Sequence, residues 1–427
     1  MSGLIYNRAR PAGFGLLILI LAAVCTLSCS SERNRIAVLW SDRPEFAFYV
    51  EYFNASQDQY IIQMEYTKSP AAKLGNTDVK PDIIAGSRIH NTSAVLHFEP
   101  LDKFLTDNPL LQNIFYPKLL DAGIIDENQY LLPVSFNAPF IIFAENHGDS
   151  LSGYFTISFD EMKELAEKFN TVSGGVYSRM GFSPTWDDNF LYLMAAFFDT
   201  SFAESSTLLW DEAALSGAMN FAYEWNQKSN SGVRAVEDFT SRYFVTPPDK
   251  LVQTGRILFT GMYSNDFFIM TDEERDKLGF RWLVENNKIH LGEDTVYMGL
   301  IKKSKPLKAA PSKAAEAFLF WFFDADTQAD ILERSRQKKL TESTFGISGG
   351  FSSLRPVTEQ AFPRFYPALF GRIPPEDFFT PANPLSENWP ELKNNVILPY
   401  LRESARQPDS EGIRPLGEKM GKKGIGE

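Results

Sequence analysis

Cysteine is almost absent from this chain. Only two occur in 427 residues, and both lie near the start, at Cys25 and Cys29. A disulfide between them would close a very short loop and would stabilise nothing distant. A zinc site is also disfavoured, because two cysteines lack the usual second pair of ligands. The cysteine-free remainder suits a protein that folds in an oxidising compartment.

Familiar catalytic patterns are also missing. The sequence contains no GxxxxGK[ST], HExxH or CxxC motif, and its four histidines are scattered without ligand spacing. One G-x-S-x-G match runs from Gly346 to Gly350, but a nucleophile elbow needs a hydrophobic strand before the serine and a histidine after it. The preceding KKLTEST is polar, and the last histidine is His290. The match therefore predicts a glycine-rich turn, and we expect no catalytic residue, metal or cofactor.

The composition favours a large acidic protein with more than one core. The formal net charge is −12, which disfavours nucleic-acid binding because that function needs clustered lysine and arginine. Hydrophobic residues make up 44% of the chain and 36 residues are phenylalanine, so core material is plentiful. A chain of 427 residues exceeds what one core usually holds, and two lobes are expected.

The amino-terminal segment has the features of an export signal. Arg8 and Arg10 precede an apolar run from Phe14 to Val24, which is too short to cross a bilayer. Ser28 then comes directly before Cys29. This pattern resembles a bacterial lipobox, which implies a lipoprotein signal peptide at 1–28, a lipidated Cys29 and a tether at 29–34. An uncleaved apolar anchor or a plain secretory leader remains an alternative.

The first part of the mature chain alternates strands and helices. The apolar run at 36–40 predicts a buried strand, and Asp42 with Glu45 predicts a helix start. Further strands are predicted at 60–66 and 82–85. Strand, helix and strand at this spacing form a βαβ unit, so a mostly parallel sheet is expected.

The later chain is predicted to be mainly helical. The segment 130–143 is apolar but carries Pro133 and Pro139, which favours a crossover between lobes over a central strand. Ser158 and Glu161 form a capping box at the start of a helix. Other helices are predicted at 187–199, 210–228, 313–335 and 386–404, and short strands near 279–284 and 295–301. The chain after about Glu403 is polar and is predicted to be a frayed tail.

The order of these segments resembles the extracellular solute-binding proteins of ABC importers, family 1, which are maltodextrin-binding-like. RIAVLWSDRPEFAFYVEYF, PDIIAGS, QYLLPVSFNAPFIIFAEN, TISFDEMKELAEKF and AAEAFLFWFFDADTQADILE carry the resemblance over about 35–403. It implies a two-lobe α/β periplasmic-binding-protein fold (type II), with mixed, mostly parallel sheets flanked by helices and hinged by crossing strands. The expected lobes are 35–135 plus 300–343 and 136–299 plus 344–404, with a flexible tail at 405–427.

The resemblance places a ligand in the cleft between the lobes, near the carboxyl ends of strands. Residues after the first and third strands, in the crossover and in later aromatic segments are the candidates. They are Trp40, Ser41, Asp42, Ser87, Arg88, Asn137, Trp186, Asp187, Tyr263, Ser264, Asn265, Phe351, Ser352 and Trp389. The GMYSND segment departs from the glycine-proline-tryptophan turn that the family often has there. Aromatic rings and polar side chains together suit a sugar.

The function implied is a membrane-tethered receptor that binds a small solute, expected to be a carbohydrate, and delivers it to ABC-importer permease subunits. It is expected to be a monomer with no reaction of its own, exported and facing the periplasm or the cell exterior. A sensor or adhesin of the same fold is an alternative, and a carboxylate-based glycoside hydrolase is another, because Asp187 and Asp188 are adjacent. A non-sugar ligand also remains open, since family members carry polyamines, metal complexes and phosphodiesters.

We expect the mature protein to begin at Cys29 with acyl chains attached, because the apolar run and the small residues before this cysteine match a lipoprotein leader. Mass spectrometry of the amino-terminal peptide measures this directly. An unmodified residue at the mature amino terminus contradicts lipidation.

Overall fold

The computed structural model describes residues 35–151, 155–204, 208–302, 312–407 and 416–417. The predicted signal peptide, Cys29 and the tether lie outside these residues. Within the described part, no helix combines the length and apolar character needed to cross a bilayer.

Eighteen strands are present in the described residues. In chain order they are β1 (Ile36–Ser41), β2 (Ile61–Tyr66), β3 (Ile83–Gly86), β4 (Ile124–Ile125), β5 (Asn128–Gln129), β6 (Leu132–Phe136), β7 (Pro139–Ala144), β8 (Thr156–Ile157), β9 (Thr171–Ser173), β10 (Val176–Arg179), β11 (Ala203–Glu204), β12 (Leu208–Leu209), β13 (Thr260–Tyr263), β14 (Leu278–Leu283), β15 (Ile289–His290), β16 (Val296–Leu300), β17 (Phe351–Ser352) and β18 (Phe379–Thr380).

The α-helices are mostly short, and 3₁₀ or π turns lie between or beside several of them. They are α1 (Phe46–Ser56), α2 (Pro70–Gly75), α3 (Thr92–Val95), α4 (Asp102–Asp107), α5 (Pro109–Gln112), α6 (Pro117–Asp121), α7 (Phe159–Phe169), α8 (Asp188–Phe197), α9 (Glu212–Ser229), α10 (Val233–Tyr243), α11 (Pro248–Gln253), α12 (Ser264–Phe268), α13 (Asp272–Arg275), α14 (Lys313–Phe322), α15 (Ala325–Gln337), α16 (Phe362–Phe365), α17 (Trp389–Leu392) and α18 (Leu398–Ser404). Two π turns occur, Val357–Ala361 and Lys393–Ile397, and 3₁₀ turns occupy Glu145–Ser150, Pro184–Trp186, Leu340–Glu342, Pro367–Leu369 and Glu376–Phe378.

The first lobe is built on a six-stranded sheet with the order β17-β6-β16-β3-β1-β2. Strand β1 pairs in parallel with β2 and with β3, as the βαβ pattern predicts. Strand β16 comes from much later in the chain and inserts antiparallel between β3 and β6. Antiparallel pairing is therefore more extensive than the sequence predicts, because the chain re-enters this sheet from the opposite end.

The second lobe contains a four-stranded sheet with the order β13-β7-β14-β8. Strand β7 is paired antiparallel on both sides and is buried along its whole length. The chain passes from β6 in the first sheet to β7 in the second through Asn137 and Ala138 alone. The predicted crossover over 130–143 is thus confirmed. The expectation that its prolines exclude a central strand is wrong, because β6 with Pro133 and β7 with Pro139 each lie between two other strands of their sheets.

A continuous aromatic core lies behind this crossing. The ring centroid of Phe136, in the first sheet, lies 5.7 Å from that of Phe351 and 5.0 Å from that of Phe379. The ring centroid of Trp282, in the second sheet, lies 5.5 Å from Phe351 and 5.9 Å from Phe379. Edge-to-face and offset contacts at these distances add to the free energy of burying the rings. The two sheets therefore share one hydrophobic cluster at the crossing instead of having wholly separate cores.

Several helices differ from the prediction in their interruptions. The predicted helix 313–335 is two helices, because Asp324 ends α14 and caps α15 by accepting a hydrogen bond from the Thr327 amide at 2.8 Å. The predicted helix 386–404 begins at Trp389 and contains the π turn Lys393–Ile397. Asp42 does not cap α1: that helix begins at Phe46, with no side-chain cap.

The boundaries between the two lobes stay a prediction, but the pairing of two strands differs from the lobes to which the sequence assigns them. Strands β16 and β17 belong to the first sheet, whereas the sequence assigns 296–299 and 351–352 to the second lobe. The expected flexible tail also contains buried positions. Ala405 and Leu416 have no exposed surface and pack into the second lobe's core, so apolar burial holds these described parts of the tail.

We expect Phe140→Ala to lower the free energy of unfolding by about 3–5 kcal/mol, because the truncation leaves a cavity in the shared core. The Phe140 ring is fully buried, 4.4 Å from Phe280 and 4.8 Å from Trp282. Urea unfolding measures the change. Phe370→Ala is the matched control, because that ring is 77% exposed and its loss should change stability by less than about 0.5 kcal/mol. Equal effects of the two substitutions would contradict the close packing of the Phe140 ring in the core.

Candidate functional site

Polar residues from distant parts of the chain meet at one edge of the first sheet. Strands β1, β2 and β3 run in parallel, so the residues that follow them lie at the same edge. Strand β6 ends at this edge as well, and β16 starts there, because β16 is antiparallel to both β3 and β6. The edge faces the chain at 382–394, whose Trp389 and Leu392 pack into the second lobe's core.

A cavity of about 550 Å³ occupies the space between these two walls. This volume is in the range of small-molecule sites in proteins. Its lining residues are Asp42, Arg43, Tyr66, Lys68, Ser87, Arg88, His90, Asn189, Gly292, Glu293, Asp294, Thr295, Tyr297, Ala382, Asn383, Leu385, Ser386, Trp389, Pro390, Lys393 and Asn394. The wall is mainly polar, with three aromatic or imidazole rings from the first lobe (Tyr66, His90 and Tyr297) and the indole of Trp389 from the second.

The carboxylate of Asp42 is held across the first sheet by the end of β3. Its Oδ2 accepts hydrogen bonds from the Ser87 amide at 3.4 Å and from Ser87 Oγ at 3.2 Å. Gly86 makes this approach feasible, since a Cβ at that position would lie 2.8 Å from Asp42 Oδ1. The other oxygen, Oδ1, is 3.8 Å from Arg43 Nε. Asp42 is therefore a fixed acceptor in the wall of the cavity.

The side-chain amide of Asn137 holds the floor of the cavity, residues 292–295, in place through hydrogen bonds. Its Nδ2 donates to Asp294 Oδ2 at 2.8 Å and to the Gly349 carbonyl at 2.9 Å, while its Oδ1 accepts from Ser264 Oγ at 2.9 Å. Arg43 adds a hydrogen bond from Nη2 to the Asp294 carbonyl at 3.2 Å. The amide of Asn137 thus joins segments at the crossing and does not line the cavity, although the sequence predicts a ligand contact there.

The second-lobe wall is organised around Glu293. Trp389 Nε1 donates to Glu293 Oε1 at 3.0 Å, and Lys393 Nζ donates to Glu293 Oε2 at 3.1 Å. Lys393 Nζ also lies 3.9 Å from the centroid of the Tyr192 ring, a cation–π distance. The indole of Trp389 is only 3% exposed, so it is both a cavity wall and a core residue.

His90 brings a neutral imidazole to the cavity. The side chain is 9% exposed and its ring centroid is 5.0 Å from that of Tyr297. Burial lowers the pKa of His90 to about 4, because the charged form loses its hydration. Its Nε2 has no hydrogen-bond partner among the described residues. Burial also raises the pKa of Tyr297 above its usual value.

A smaller cavity of about 140 Å³ lies beside the first and shares Glu293 and Asn383 with it. Tyr263 and His290 line this second space. Burial, followed by the nearby Glu293 and Asp294 carboxylates, raises the pKa of Tyr263 above its ordinary value. Among the predicted site residues, Asp42, Ser87, Arg88 and Trp389 therefore line the main cavity, and Tyr263 lines its neighbour.

The aromatic candidates Trp40 and Trp186 lie in packed clusters away from both cavities. Trp40 is 2% exposed on the sheet face covered by α2 and α3, with Lys73 Nζ 4.0 Å from its ring centroid. Trp186 packs on Phe239 and Phe244 with ring centroids 5.9 and 4.9 Å away. Both rings bury apolar surface, which explains why they are aromatic without contacting the cavity.

The remaining candidates have structural contacts of their own. Ser41 Oγ accepts from the Arg43 amide at 3.0 Å, and Asp187 caps α8 by accepting from the Asn189 amide at 2.9 Å. Ser264 and Asn265 open α12 at the crossing. Phe351 is buried in the aromatic core, and Ser352 Oγ donates to Gln328 Oε1 at 2.6 Å. None of these lines either cavity.

Several cavity residues were not among the predicted ones. Tyr66 is the last residue of β2 and Lys68 follows that strand, so the strand-end rule applied to Asp42 and Ser87 also indicates them. Arg43, two residues after β1, is indicated by the same rule. Glu293, Asp294 and Lys393 carry no such signal, because their position depends on where the crossings and the chain near 390 lie. Among the described residues, no group of three or more histidine, cysteine or acidic side chains is placed to bind a metal ion.

Comparison with known proteins identifies the fold. No sequence-family profile and no curated protein matches the chain. Solved structures do match: the cyclic α-maltosyl-1,6-maltose binding protein from Arthrobacter globiformis has a TM-score of 0.59 at 17% identity, covering 90% of this chain and 96% of that one. The sugar-binding protein MalE from Xanthomonas citri scores 0.60 at 13% identity, covering 91% and 96%. An ABC substrate-binding protein from Listeria monocytogenes in complex with cycloalternan scores 0.58 at 13% identity, covering 91% and 97%.

These similarities confirm the two-lobe α/β fold that the sequence resemblance implies. The lengths agree as well, since each comparison spans nearly all of both chains. At identities below one fifth, the likeness establishes the fold and leaves the ligand to the residues of the site.

We expect stability to fall as the pH drops from about 6.5 to about 4, because His90 is neutral in the folded protein while the unfolded chain binds the proton first. The loss attributable to His90 is up to about 3 kcal/mol. Urea unfolding of His90→Gln at neutral and acidic pH should show a correspondingly shallower decline. His97→Gln, at a half-buried site, should keep most of it. An unchanged decline in His90→Gln would contradict a buried neutral imidazole.

Proposed function

We propose that this chain is an extracytoplasmic solute-binding receptor that captures a small carbohydrate between its lobes and delivers it to the permease subunits of an ABC importer. The observation that carries the proposal is the cavity of about 550 Å³ between the first sheet's strand ends and the wall around Trp389. Matching structures of the same fold include a protein named for binding cyclic maltosyl-maltose and an ABC substrate-binding protein in complex with cycloalternan. Capture would proceed by movement of the lobes about the crossing segments.

The chemistry of the lining supports a saccharide. Tyr66 is 55% exposed at the cavity edge and offers a ring face to the C–H surface of a sugar. Asp42, Ser87, Asn383 and Ser386 offer acceptors and donors of the kind that hydroxyl groups need. Several such hydrogen bonds and one stacked ring are sufficient for micromolar affinity, which corresponds to about −8 kcal/mol.

Binding without a reaction fits the roles of the carboxylates. Asp187 caps α8, and Asp188 forms an ion pair with Arg402. In the cavity, Glu293 is bonded to Trp389 and Lys393, and Asp294 is bonded to Asn137. Each of these acids has a structural partner, which favours a receptor over a glycoside hydrolase.

The proposal includes the membrane tether. Lipidation of Cys29 would hold the receptor at a bacterial membrane, where a permease could receive the solute, and several acyl chains bind a bilayer much more firmly than one. A monomer is the form proposed for this role. The support for export is the leader-like sequence together with a fold shared by binding proteins of ABC transport.

A thermal-shift screen over neutral and acidic mono- and oligosaccharides, followed by calorimetry on the hits, tests the proposal. We expect at least one saccharide to raise the melting temperature, since a ligand selective for the folded state stabilises it. Tyr66→Ala should then weaken binding by about three- to tenfold through loss of the stacked ring.

Phe370→Ala is the control for Tyr66→Ala, because it removes an exposed ring that does not line the cavity. It should leave the affinity unchanged. A screen in which no saccharide binds rejects the proposed function. Equal affinity of Tyr66→Ala and the unaltered protein removes Tyr66 from the binding surface without rejecting the function.

A further inference from the structure

The acidic side chains that line the main cavity all have partners within the protein, whereas some of the basic ones have none among the described residues. The lining contains the carboxylates of Asp42, Glu293 and Asp294, and each accepts at least one hydrogen bond from the protein itself. Glu293 in addition pairs with Lys393, whose side chain is only 16% exposed. Each of these acids therefore has a hydrogen-bond partner within the protein.

Two of the basic side chains that line the cavity have no such partner in the part of the chain that the structure describes. Arg88 and Lys68 are exposed, and neither forms an ion pair with any residue in the described part of the chain. Arg88 comes two residues after β3 and Lys68 two residues after β2, so both belong to the first-lobe edge. Strand β1 separates β2 from β3, which spaces the two strand ends by roughly 10 Å. The long side chains of Arg88 and Lys68 can therefore converge on one group that lies between the two strand ends.

The excess of positive charge is local. The whole chain carries a net charge of −12, yet the cavity has four cations against three carboxylates, and two of those cations are unpaired. Tyr66 directly adjoins this cationic edge, with 55% of its side chain exposed. A ring face beside a guanidinium and an ammonium fits a ligand that combines a sugar ring with an anionic substituent.

We infer that the solute is an anionic saccharide, whose sugar ring lies on Tyr66 and whose acidic group is bound by Arg88 and Lys68. The inference rests on the proposed function and specifies its substrate class. A guanidinium can bind a carboxylate or a phosphate through two parallel hydrogen bonds, and the ammonium adds a second point of charge. The acidic group is thereby recognised at the rim of the first lobe, and the hydroxyls are recognised deeper, at Asp42 and Ser87.

Calorimetry with matched pairs of saccharides tests this inference. One arm uses oligogalacturonates, oligoglucuronates and oligomannuronates, each beside its neutral methyl ester, and a second arm uses phosphorylated and sulfated sugars beside their parents. We expect the charged member of at least one pair to bind about tenfold or more tightly than its neutral form. The arm that shows the difference identifies the acidic group as a carboxylate, a phosphate or a sulfate. The difference should shrink as salt is raised, because the two cations are exposed.

Arg88→Gln and Lys68→Gln should each remove most of this charge preference, because each removes one of the two cations that bind the acidic group. Lys103→Gln is the matched control: it removes one positive charge from the exposed surface of α4 in the same lobe, outside the cavity, and should leave both affinities unaltered.

The outcomes separate the inference from the function on which it rests. Neutral saccharides that bind as tightly as every charged partner overturn the anionic class and leave the receptor function standing. A charge preference that survives in both Arg88→Gln and Lys68→Gln overturns the assignment of these residues. Failure of every saccharide, charged or neutral, to bind rejects the receptor function and the inference together.

Discussion

The structure depends on the buried amide of Asn137, where the segments that pass between the two sheets meet. One primary amide donates to a carboxylate and a carbonyl and accepts from a hydroxyl, so it joins Asp294, Gly349 and Ser264 at a single point. Its own backbone carbonyl accepts from the Gly292 amide at 2.8 Å. Leaving any one of these buried groups unpaired costs about 1–3 kcal/mol. The cavity lies over this junction because Gly292, Glu293, Asp294 and Thr295 form its floor.

The alternating strands and helices, the crossover at 130–143 and the strand-end location of the site were all predictable from local patterns. The strand-end rule nevertheless needs one refinement. Trp40 is the fifth residue of a six-residue strand, so its side chain points to a face of the sheet and is buried with Ile84 and Leu74. Asp42, Lys68 and Ser87 lie beyond the last strand residue and line the cavity, and so does Tyr66, the last residue of β2.

The sequence does not show which tryptophan lines the cavity, because a ring that stacks on a ligand and a ring that fills a core have the same local sequence pattern. Trp186 ends a 3₁₀ turn just before α8 and Trp389 opens α17, yet only Trp389 adjoins the cavity, where Glu293 accepts a hydrogen bond from its Nε1. The sequence likewise did not indicate that Glu293 and Asp294 line the cavity. Their place at the floor follows from the insertion of β16 between β3 and β6, which is a long-range pairing with no local signature.

The shared aromatic core restricts how the lobes move. Phe136 and Trp282 belong to different sheets, but both contact Phe351 and Phe379, so a wide separation of the lobes would expose several fully buried rings. Interiors packed at this density resist gradual deformation. The backbone change must therefore be absorbed by the few residues between strands, at 137–138 and 292–295. Those residues also position the cavity floor, so any movement of one lobe against the other would change the arrangement of the groups that line the cavity.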